Sequence, residues 1–352
     1  MRKAVYCGKV KIGGGAPVSV QSMTNVDSRN EEALLTQVRQ LQEAGCDIVR
    51  IAVPDMDAVE VFGRVKKQVN VPLVADIHFD YRLAIASICA GADKIRINPG
   101  NIGSRQRVKA VVDAARDRNI PIRVGVNSGS LEKDILEKNG GVTAEGLAES
   151  ALRSLSYIEE LGYDNLVVSL KSSDVMMNYQ AHKLVAEKTE HPIHIGITEA
   201  GTLRRGKVKS AIGIGALLLS GIGDTMRVSL TSDPVEEVIY GREILEAIGI
   251  RKPKVNLVSC PTCGRTRVDL QSLAEEVDRR LSDAEGLPEG LTVAVMGCAV
   301  NGPGEAREAD FGVAGGDGKG LIFAKGQVIK TVDEADITDE LMKIICEQRE
   351  GK

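Results

Sequence analysis

Short apolar runs rich in β-branched residues alternate along most of this chain with longer segments in which apolar residues recur every three or four positions. The short runs have the length and composition of buried strands, and the longer segments have the spacing of helices that bury one face. The predicted strands span residues 18–22, 48–53, 73–77, 94–97, 122–126, 166–170, 193–197 and 226–230. The clearest predicted helices span residues 31–44, 144–161 and 234–247.

Eight strands that alternate with helices predict an α/β fold, a (β/α)8 TIM barrel over roughly residues 15–248. A doubly wound parallel sheet is the main alternative, because it is built from the same alternation. In a parallel barrel the functional side chains gather at the carboxyl ends of the strands. We therefore expect any active site to be built from residues at those strand ends.

The alternation stops near residues 249–254, so we predict a barrel domain at 1–249 and a second domain at 250–352. The second domain is predicted to be a small α+β domain that ends in a helix. That last helix is expected to follow Thr331-Val-Asp-Glu334, which has the pattern of a capping box. The other predicted elements are strands at 255–258, 292–296, 310–313 and 321–323 and a helix at 268–281.

Composition and charge exclude several classes of function. Hydrophobic residues make up 43% of the chain, whereas aromatic residues make up 3% and Trp is absent. Scarce aromatic side chains and a net charge of −4 argue against nucleic-acid and membrane surfaces. The longest apolar stretch, residues 211–223, is shorter than the ~20 residues that span a bilayer. An odd number of cysteines without a signal-peptide pattern indicates a reducing cytoplasm.

The cysteines of the second domain point to a metal centre. Cys260-Pro-Thr-Cys263 brings two thiols to the same side of a turn, Cys298 follows, and Glu305 comes after a Gly-Pro-Gly turn. Three thiolates and one oxygen ligand suit an iron–sulfur cluster with one exchangeable iron. A zinc site and a plain thiol pair are the alternatives, although all four histidines precede residue 195. The cysteines interpreted as packing residues are Cys7, Cys46, Cys89 and Cys346.

Charged residues lie in or directly after several predicted barrel strands. An unpaired cation in such a strand loses several kcal/mol of hydration. Cations outnumber acids there, so we expect a polyanionic ligand, and arginine binds phosphate oxygens two at a time. Internal salt bridges are the alternative. The cations are Arg50, Arg96, Arg123, Lys171 and Arg227, and the acids are Asp76 and Glu199.

The histidines divide into one candidate and three structural residues. His78 follows Asp76 by two positions and could take part in acid–base chemistry with it, although a hydrogen-bonded structural role explains His78 equally well. The histidines interpreted as structural are His182, His191 and His194.

Longer motifs make the set of candidate residues more specific. They are Ser19-Val-Gln-Ser-Met-Thr-Asn25, Val49-Arg-Ile-Ala-Val-Pro54, Ala75-Asp-Ile-His-Phe79, Lys94-Ile-Arg-Ile-Asn-Pro-Gly-Asn101, Arg123-Val-Gly-Val-Asn-Ser-Gly129, Ser169-Leu-Lys-Ser-Ser173, Gly196-Ile-Thr-Glu-Ala-Gly201, Cys260-Pro-Thr-Cys-Gly-Arg265 and Gly297-Cys-Ala-Val-Asn-Gly-Pro-Gly-Glu305. Over essentially its whole length, the chain resembles the compact bacterial form of the 4-hydroxy-3-methylbut-2-enyl diphosphate synthases. These enzymes belong to the methylerythritol phosphate route to isoprenoids.

The resemblance implies a reaction and a cofactor. Members of this family open the ring of 2-C-methyl-D-erythritol 2,4-cyclodiphosphate and remove water, with two electrons delivered singly from reduced ferredoxin or flavodoxin. The implied cofactor is a [4Fe–4S] cluster on Cys260, Cys263 and Cys298, with Glu305 as displaceable fourth ligand. The implied assembly is a homodimer in which each barrel faces the partner's cluster domain.

The residues at the strand ends and the resemblance together give the expected site. The expected catalytic residues are Glu199, Glu305, Asp76 and His78, and Glu199 is the hypothetical proton donor. The expected substrate-binding residues are Arg50, Arg96, Arg123, Asn127, Lys171, Arg227, Ser229 and Asn301.

Two other functions fit parts of the sequence. One is a pterin-binding barrel methyltransferase with a zinc domain, which would be colourless. The other is a non-enzymatic iron–sulfur sensor, which would bind its ligand without forming product. The basic segment with Arg204, Arg205 and Lys207 has no assigned role under any of these hypotheses.

Overall fold

The computed structural model describes residues 1–284, 286–298 and 306–350. The chain divides into two compact units, Met1–Arg251 and Lys252–Lys352. The first unit starts with an antiparallel hairpin and continues into a closed barrel of eight parallel strands with the order β10-β3-β4-β5-β6-β7-β8-β9. The predicted TIM barrel is therefore confirmed, and the doubly wound alternative is wrong. The strands are β1 (Ala4–Cys7), β2 (Val10–Gly13), β3 (Ser19–Met23), β4 (Ile48–Ala52), β5 (Leu73–Asp76), β6 (Lys94–Ile97), β7 (Ile122–Asn127), β8 (Leu166–Lys171), β9 (Ile193–Ile195) and β10 (Thr225–Met226).

Helices surround the barrel and bury their apolar faces against the outward side chains of the strands. Val49 and Ile51 of β4, for example, pack in this outer core with Leu34 and Val38. Burial of such side chains stabilises the layer by roughly 1.5–3 kcal/mol each. The helices are α1 (Glu31–Glu43), α2 (Met56–Lys66), α3 (Tyr81–Cys89), α4 (Pro99–Ile102), α5 (Arg105–Arg118), α6 (Lys133–Asn139), α7 (Ala144–Glu159), α8 (Val175–Ala186), α9 (Leu203–Leu219) and α10 (Pro234–Ala247).

Side-chain caps fix where several of these helices begin. The Asp233 carboxylate accepts a hydrogen bond from the backbone N–H of Val235, and Pro234 occupies the first helical position of α10. The start predicted for this helix is confirmed. Asp55, Thr143 and Asp174 cap α2, α7 and α8 in the same way.

The hairpin β1–β2 closes the barrel at the amino-terminal ends of its strands. The sequence analysis did not predict this hairpin. Its apolar residues form one buried cluster with inward-facing residues of three strands, namely Val5, Cys7 and Ile12 of the hairpin and Ile48, Val74 and Val167 of the barrel. Gly8 supplies the positive φ of +54° that the turn requires. We call this cluster the barrel floor.

The eighth barrel strand is shorter than predicted. A strand was expected over residues 226–230, whereas β10 contains only Thr225 and Met226. Beyond Met226 the backbone finds other partners: the N–H of Leu230 donates to the Glu237 carboxylate at 2.9 Å. The Glu237 side chain of α10 thus accepts a backbone hydrogen bond within the segment that was predicted to be a strand.

In its described residues, the second unit is a five-stranded mixed sheet with the order β11-β12-β13-β14-β15 and two helices. Strands β11, β12 and β13 are parallel, and the last three are antiparallel neighbours. A separate core lies between the sheet and the helices and includes Val277, Val293 and Leu341. The elements are β11 (Val255–Ser259), α11 (Leu270–Asp283), β12 (Leu291–Met296), β13 (Phe311–Gly315), β14 (Lys319–Ala324), β15 (Gln327–Asp333) and α12 (Ile337–Glu350).

The predicted capping box at Thr331–Glu334 is wrong. Thr331 lies in β15 and pairs with Leu321 of β14, so its backbone is committed to a strand ladder. Helix α12 begins only at Ile337, after a single 3₁₀ turn. Strand β15 escaped prediction because it lies exposed at the edge of the sheet, so that no alternation of buried and exposed residues marks it.

In the part of the chain that the structure describes, no helix combines the length and the apolar character that crossing a bilayer requires.

Candidate active site

The five cationic side chains predicted to bind an anion point into the barrel. On β4, Val49 and Ile51 belong to the outer core, so Arg50 between them faces inward. The same alternation orients the other four. Arg123 is the second residue of β7 and therefore lies deeper than Lys171, the last residue of β8. We call these residues the cation ring: Arg50, Arg96, Arg123, Lys171 and Arg227.

Asp76 holds two members of the ring. Its carboxylate lies 3.7 Å from Arg50 Nε and 3.3 Å from Arg96 Nη1, and His78 Nε2 is 3.5 Å away. Burial alone would raise the pKa of Asp76, but the charge of Arg50, the hydrogen bond from His78 and the charge of Arg96 outweigh it and lower the pKa. Asp76 is thus a buried anion that orients arginines.

Glu237 holds Arg227, and the sequence analysis missed this residue. Its carboxylate accepts hydrogen bonds from Arg227 Nε at 3.0 Å and Nη2 at 3.1 Å, and from the Ser22 hydroxyl at 3.0 Å. Glu237 is 3% exposed. An acid in the first turn of α10 looked like an ordinary helix N-terminal residue. The signal that could have found it is its spacing of ten residues from Arg227 across a tight connection.

Arg123 and Lys171 have no such partner. They are 1% and 7% exposed, and in the described residues no carboxylate lies within 4.0 Å of either. Arg123 Nη1 donates to the side-chain oxygen of Gln21 at 3.2 Å. Burial is the main cause that lowers the pKa of both groups, and neighbouring cations add to it. Two ring members are thus held in a site that favours an added negative charge.

The other predicted barrel residues lie around this ring or above it. Asn127 ends β7 and pairs in register with Lys171. Ser229 is half-buried just after β10, and the His78 side chain is 54% exposed. Glu199 is exposed in the loop after β9, where its backbone adopts φ +51°. It therefore does not balance the ring as the sequence analysis assumed; Glu237 does.

The predicted metal ligands lie at one edge of the second sheet. Cys260 directly follows β11, and Cys298 comes two residues after its parallel neighbour β12. Cys260 Sγ accepts a hydrogen bond of 3.2 Å from the N–H of Gly297, which precedes Cys298. Cys263 is exposed, and its pKa is lowered, chiefly by a hydrogen bond from the backbone of Arg265. Glu305 and Asn301 lie outside the described residues.

Within those described limits, no three Cys, His, Asp or Glu side chains are grouped to hold a metal ion. The structure thus brings Cys260 close to the backbone that carries Cys298, and it leaves Cys263 on the surface.

The remaining cysteines and histidines are partly as expected. Cys7 and Cys46 are buried, and burial raises their pKa to about 11 and about 12. The packing role assigned to Cys89 and Cys346 is wrong, because both are exposed on helices. The three histidines interpreted as structural, His182, His191 and His194, are all buried.

Both units match one protein family. The model of the GcpE TIM-barrel domain matches residues 2–242, and the model of the GcpE protein C-terminal domain matches residues 256–347. The chain belongs to the GcpE family. A relative from Caldanaerobacter subterraneus subsp. tengcongensis is 56% identical over 98% of this chain and 96% of its own length. A relative from Geobacter sulfurreducens is 55% identical over 98% of both chains. Both are named 4-hydroxy-3-methylbut-2-en-1-yl diphosphate synthase (flavodoxin).

Solved structures share the barrel with this GcpE member. Dihydropteroate synthase from Yersinia pestis superposes with a TM-score of 0.51 at 14% identity, over 71% of this chain and 98% of that one. A truncated 3-deoxy-D-arabino-heptulosonate 7-phosphate synthase from Thermotoga maritima gives 0.51 at 14% identity, over 71% and 94%. Such low identity establishes the fold alone. The pterin-binding alternative therefore gains no support, and the synthase names of the close relatives oppose it and the sensor alternative.

Proposed function

We propose that this chain reduces 2-C-methyl-D-erythritol 2,4-cyclodiphosphate to 4-hydroxy-3-methylbut-2-enyl diphosphate, with opening of the ring and loss of water. Family membership and the names of close relatives support this reaction. The structural observation that carries it is the pair Arg123 and Lys171, two buried cations that no described carboxylate neutralises. A diphosphate supplies the missing negative charge.

The cation ring binds the diphosphate with three of its members already oriented. Asp76 positions Arg50 and Arg96, and Glu237 positions Arg227. A guanidinium fixed in this way loses little conformational freedom when it donates to a phosphate oxygen. Each charge-assisted hydrogen bond contributes about 1.5–3 kcal/mol. Asn127, Ser229 and Asn301 complete the proposed substrate contacts.

The residues that would hold the [4Fe–4S] cluster are Cys260, Cys263 and Cys298, with Glu305 as fourth ligand. The donor set fits the group. A backbone N–H already donates to Cys260 Sγ, as at cluster thiolates, and the lowered pKa of Cys263 favours its thiolate. When bound, the cluster supplies electrons one at a time and a Lewis-acidic iron. The proposal thus makes residues 1–249 the substrate-binding domain and residues 250–352 the cluster domain.

Glu199 is the proposed proton donor for the departing oxygen. Its loop follows β9, on the barrel end where catalytic residues of this fold gather. A φ of +51° costs a residue with a side chain about 1 kcal/mol, and such strain is concentrated at functional positions. In Glu199→Gln we expect turnover to fall at least tenfold with unchanged substrate affinity; undiminished turnover would remove the role. Asp76 acts by holding Arg50 and Arg96, and His78 acts by hydrogen bonding to Asp76.

The experiment that tests the function is anaerobic purification followed by iron and sulfide analysis and assay with reduced flavodoxin. We expect about four irons and four sulfides per chain and conversion of the cyclodiphosphate. Cys263→Ser should lose both, whereas Cys346→Ser, an equally exposed cysteine on α12, should keep both. Material without iron and sulfide, or an active Cys263→Ser variant, would contradict the proposal.

The electron donor, the compartment and the oligomeric state are the remaining parts of the proposal. Flavodoxin is the proposed electron donor, because the relatives carry it in their names, and the cytoplasm is the proposed compartment. The homodimer implied by the family resemblance remains a proposal that sedimentation equilibrium of the cluster-loaded protein can test.

The basic residues Arg204, Arg205 and Lys207 lie in the first turns of α9, and Lys207 is 3.7 Å from Glu236. The arrangement gives them no further role.

A further inference from the structure

The barrel interior between the cation ring and the barrel floor is polar. Five residues there are at most 3% exposed, as is Arg123 itself. Within the described chain, their side chains contain atoms without a hydrogen-bond partner: Ser19 Oγ, Gln21 Nε2, Lys94 Nζ, Arg123 Nε, His194 Nδ1 and Nε2, and Thr225 Oγ1. An unsatisfied buried polar atom is rare in a folded protein and asks for an explanation.

These side chains face one another across the barrel axis. Thr225 pairs in register with Ser19 on one side and with His194 on the other, so the three occupy one level of adjacent strands. Arg123 reaches Gln21 at 3.2 Å, although β7 and β3 lie on opposite sides of the eight-stranded barrel. This hydrogen bond therefore crosses the whole interior.

Lys94 lies in the same space. It precedes Arg96 by two positions on β6 and faces inward like it, one level closer to the floor. Burial lowers the pKa of Lys94 to about 8; Cys7 of the floor and Arg123 are the next two groups that influence it. The pKa of His194 is lowered by burial first, then by the charges of Arg123, Lys171 and Lys94. The charge of Arg123 thus acts on both Lys94 and His194, and the charge of Lys94 acts on His194.

The chemistry of the unpaired atoms defines what is missing. The charged Lys94 ammonium, Arg123 Nε and Gln21 Nε2 can only donate hydrogen bonds, whereas the two hydroxyls can donate or accept and a neutral His194 ring donates from one nitrogen. Three donor-only groups therefore lack an acceptor. In the described residues neither Lys94 nor Arg123 has a carboxylate within 4.0 Å, so a negatively charged acceptor satisfies both the hydrogen bonds and the charge.

We propose that the barrel interior contains a second anion site, below the cation ring, that binds one small inorganic anion of the chloride class. Lys94 and Arg123 supply its charge, and Gln21, His194, Ser19 and Thr225 supply further donors. A monatomic anion suits a cage of side chains that are almost completely closed to solvent and approach from several directions. The proposal goes beyond the proposed reaction: Arg123 is shared with the cation ring, whereas Lys94, Gln21, His194, Ser19 and Thr225 belong to this site alone.

The decisive experiment replaces chloride by bromide in crystals of the cluster-loaded protein. Diffraction data collected on both sides of the bromine absorption edge separate bromide from iron and sulfur. We expect one bromide peak inside the barrel, within contact distance of Lys94 Nζ and Arg123. Density there that shows no bromine signal would mean ordered water, and the proposal would be overturned.

A solution measurement tests the same site through stability. At constant ionic strength, a ligand that binds only the folded chain raises the melting temperature. We expect a midpoint a few degrees higher in chloride or bromide than in gluconate, which is too large to enter. Lys94→Met should lose this difference, and Lys109→Met, an exposed lysine on α5, should keep it. Equal midpoints in all salts, or an unchanged response in Lys94→Met, would contradict the site; if Lys94→Met does not fold, the bromide data decide.

Discussion

The carboxylate of Glu237 grips the guanidinium of Arg227 through two parallel hydrogen bonds of 3.0 and 3.1 Å. Arg227 follows the last barrel strand, and Glu237 lies in the first turn of the helix after it. The segment between these two residues therefore folds back, and the ion pair joins its first and last side chains. This geometry fixes one phosphate-binding group before any substrate arrives.

Removing the Glu237 charge should destabilise the protein. In Glu237→Gln, Arg227 is left as a largely buried cation, its side chain being 16% exposed. We expect the free energy of unfolding in urea to fall by about 3 kcal/mol. The matched control is Glu236→Gln, the exposed neighbour on the same helix turn, whose contact with Lys207 at 3.7 Å should contribute less than ~1 kcal/mol. Equal losses in the two variants would show that the buried pair has no special weight.

Removing Lys171 should separate stability from binding. Lys171 is buried without a carboxylate in the described residues, so Lys171→Met relieves a desolvation cost and replaces it with apolar packing. We expect an unfolding free energy at least equal to that of the wild type. Affinity for the cyclodiphosphate or for inorganic pyrophosphate, measured by calorimetry, should fall tenfold or more, corresponding to about 1.4 kcal/mol.

Arg227→Met is the control for this prediction. It removes one ring cation of the same kind, but it leaves Glu237 buried and unpaired. We therefore expect it to lose stability as well as affinity. A Lys171→Met variant that unfolds as easily as Arg227→Met would mean that Lys171 has a stabilising partner.

His182 should make the protein less stable in mild acid. Burial lowers the pKa of folded His182 from 6.5 to about 4, and its Nδ1 lies 2.7 Å from the carbonyl oxygen of Asn178. Between these pH values the unfolded chain binds a proton that the folded chain does not. The free energy of unfolding therefore falls as the pH drops from about 6.5 to about 4, by roughly 3 kcal/mol in total. Urea titrations of wild type and His182→Gln should show a shallower pH dependence in the variant; identical curves would refute it.

The barrel floor should depend on Gly13. At φ +75°, a Cβ on this residue would lie 2.3 Å from the carbonyl oxygen of Lys3, so Gly13→Ala must displace the hairpin. Gly140 also has a positive φ, of +68°, but a Cβ there meets no atom within 4 Å. Gly140→Ala should cost about 1 kcal/mol from backbone strain alone, and Gly13→Ala should cost more. Hydrogen exchange of the hairpin amides should accelerate only in Gly13→Ala.

Much of the barrel was predictable because its strands are apolar on the face that meets the helices. Runs such as the one at Leu166 show this in the sequence, and cap residues such as Asp233 mark the helix starts. Elements without this pattern of buried apolar residues were not predictable. Strand β15 is exposed at the edge of its sheet, and beyond β10 the backbone N–H of Leu230 donates to the Glu237 carboxylate.

The cation ring was predictable from the cost of charged residues in buried strands. The acids that neutralise its members were not. The sequence suggested Glu199 as the second acid, since that residue also follows a strand. Which acid reaches Arg227 depends on how α10 packs beside β3, a contact between distant segments that periodicity does not reveal.

In the part of the chain that the structure describes, the floor formed by β1 and β2 closes one end of the barrel. A molecule that enters past Lys171 finds no exit at the opposite end, where Val5, Cys7 and Ile12 fill the passage. A ligand of the cation ring therefore enters and leaves the barrel at the end that carries Lys171, opposite the floor.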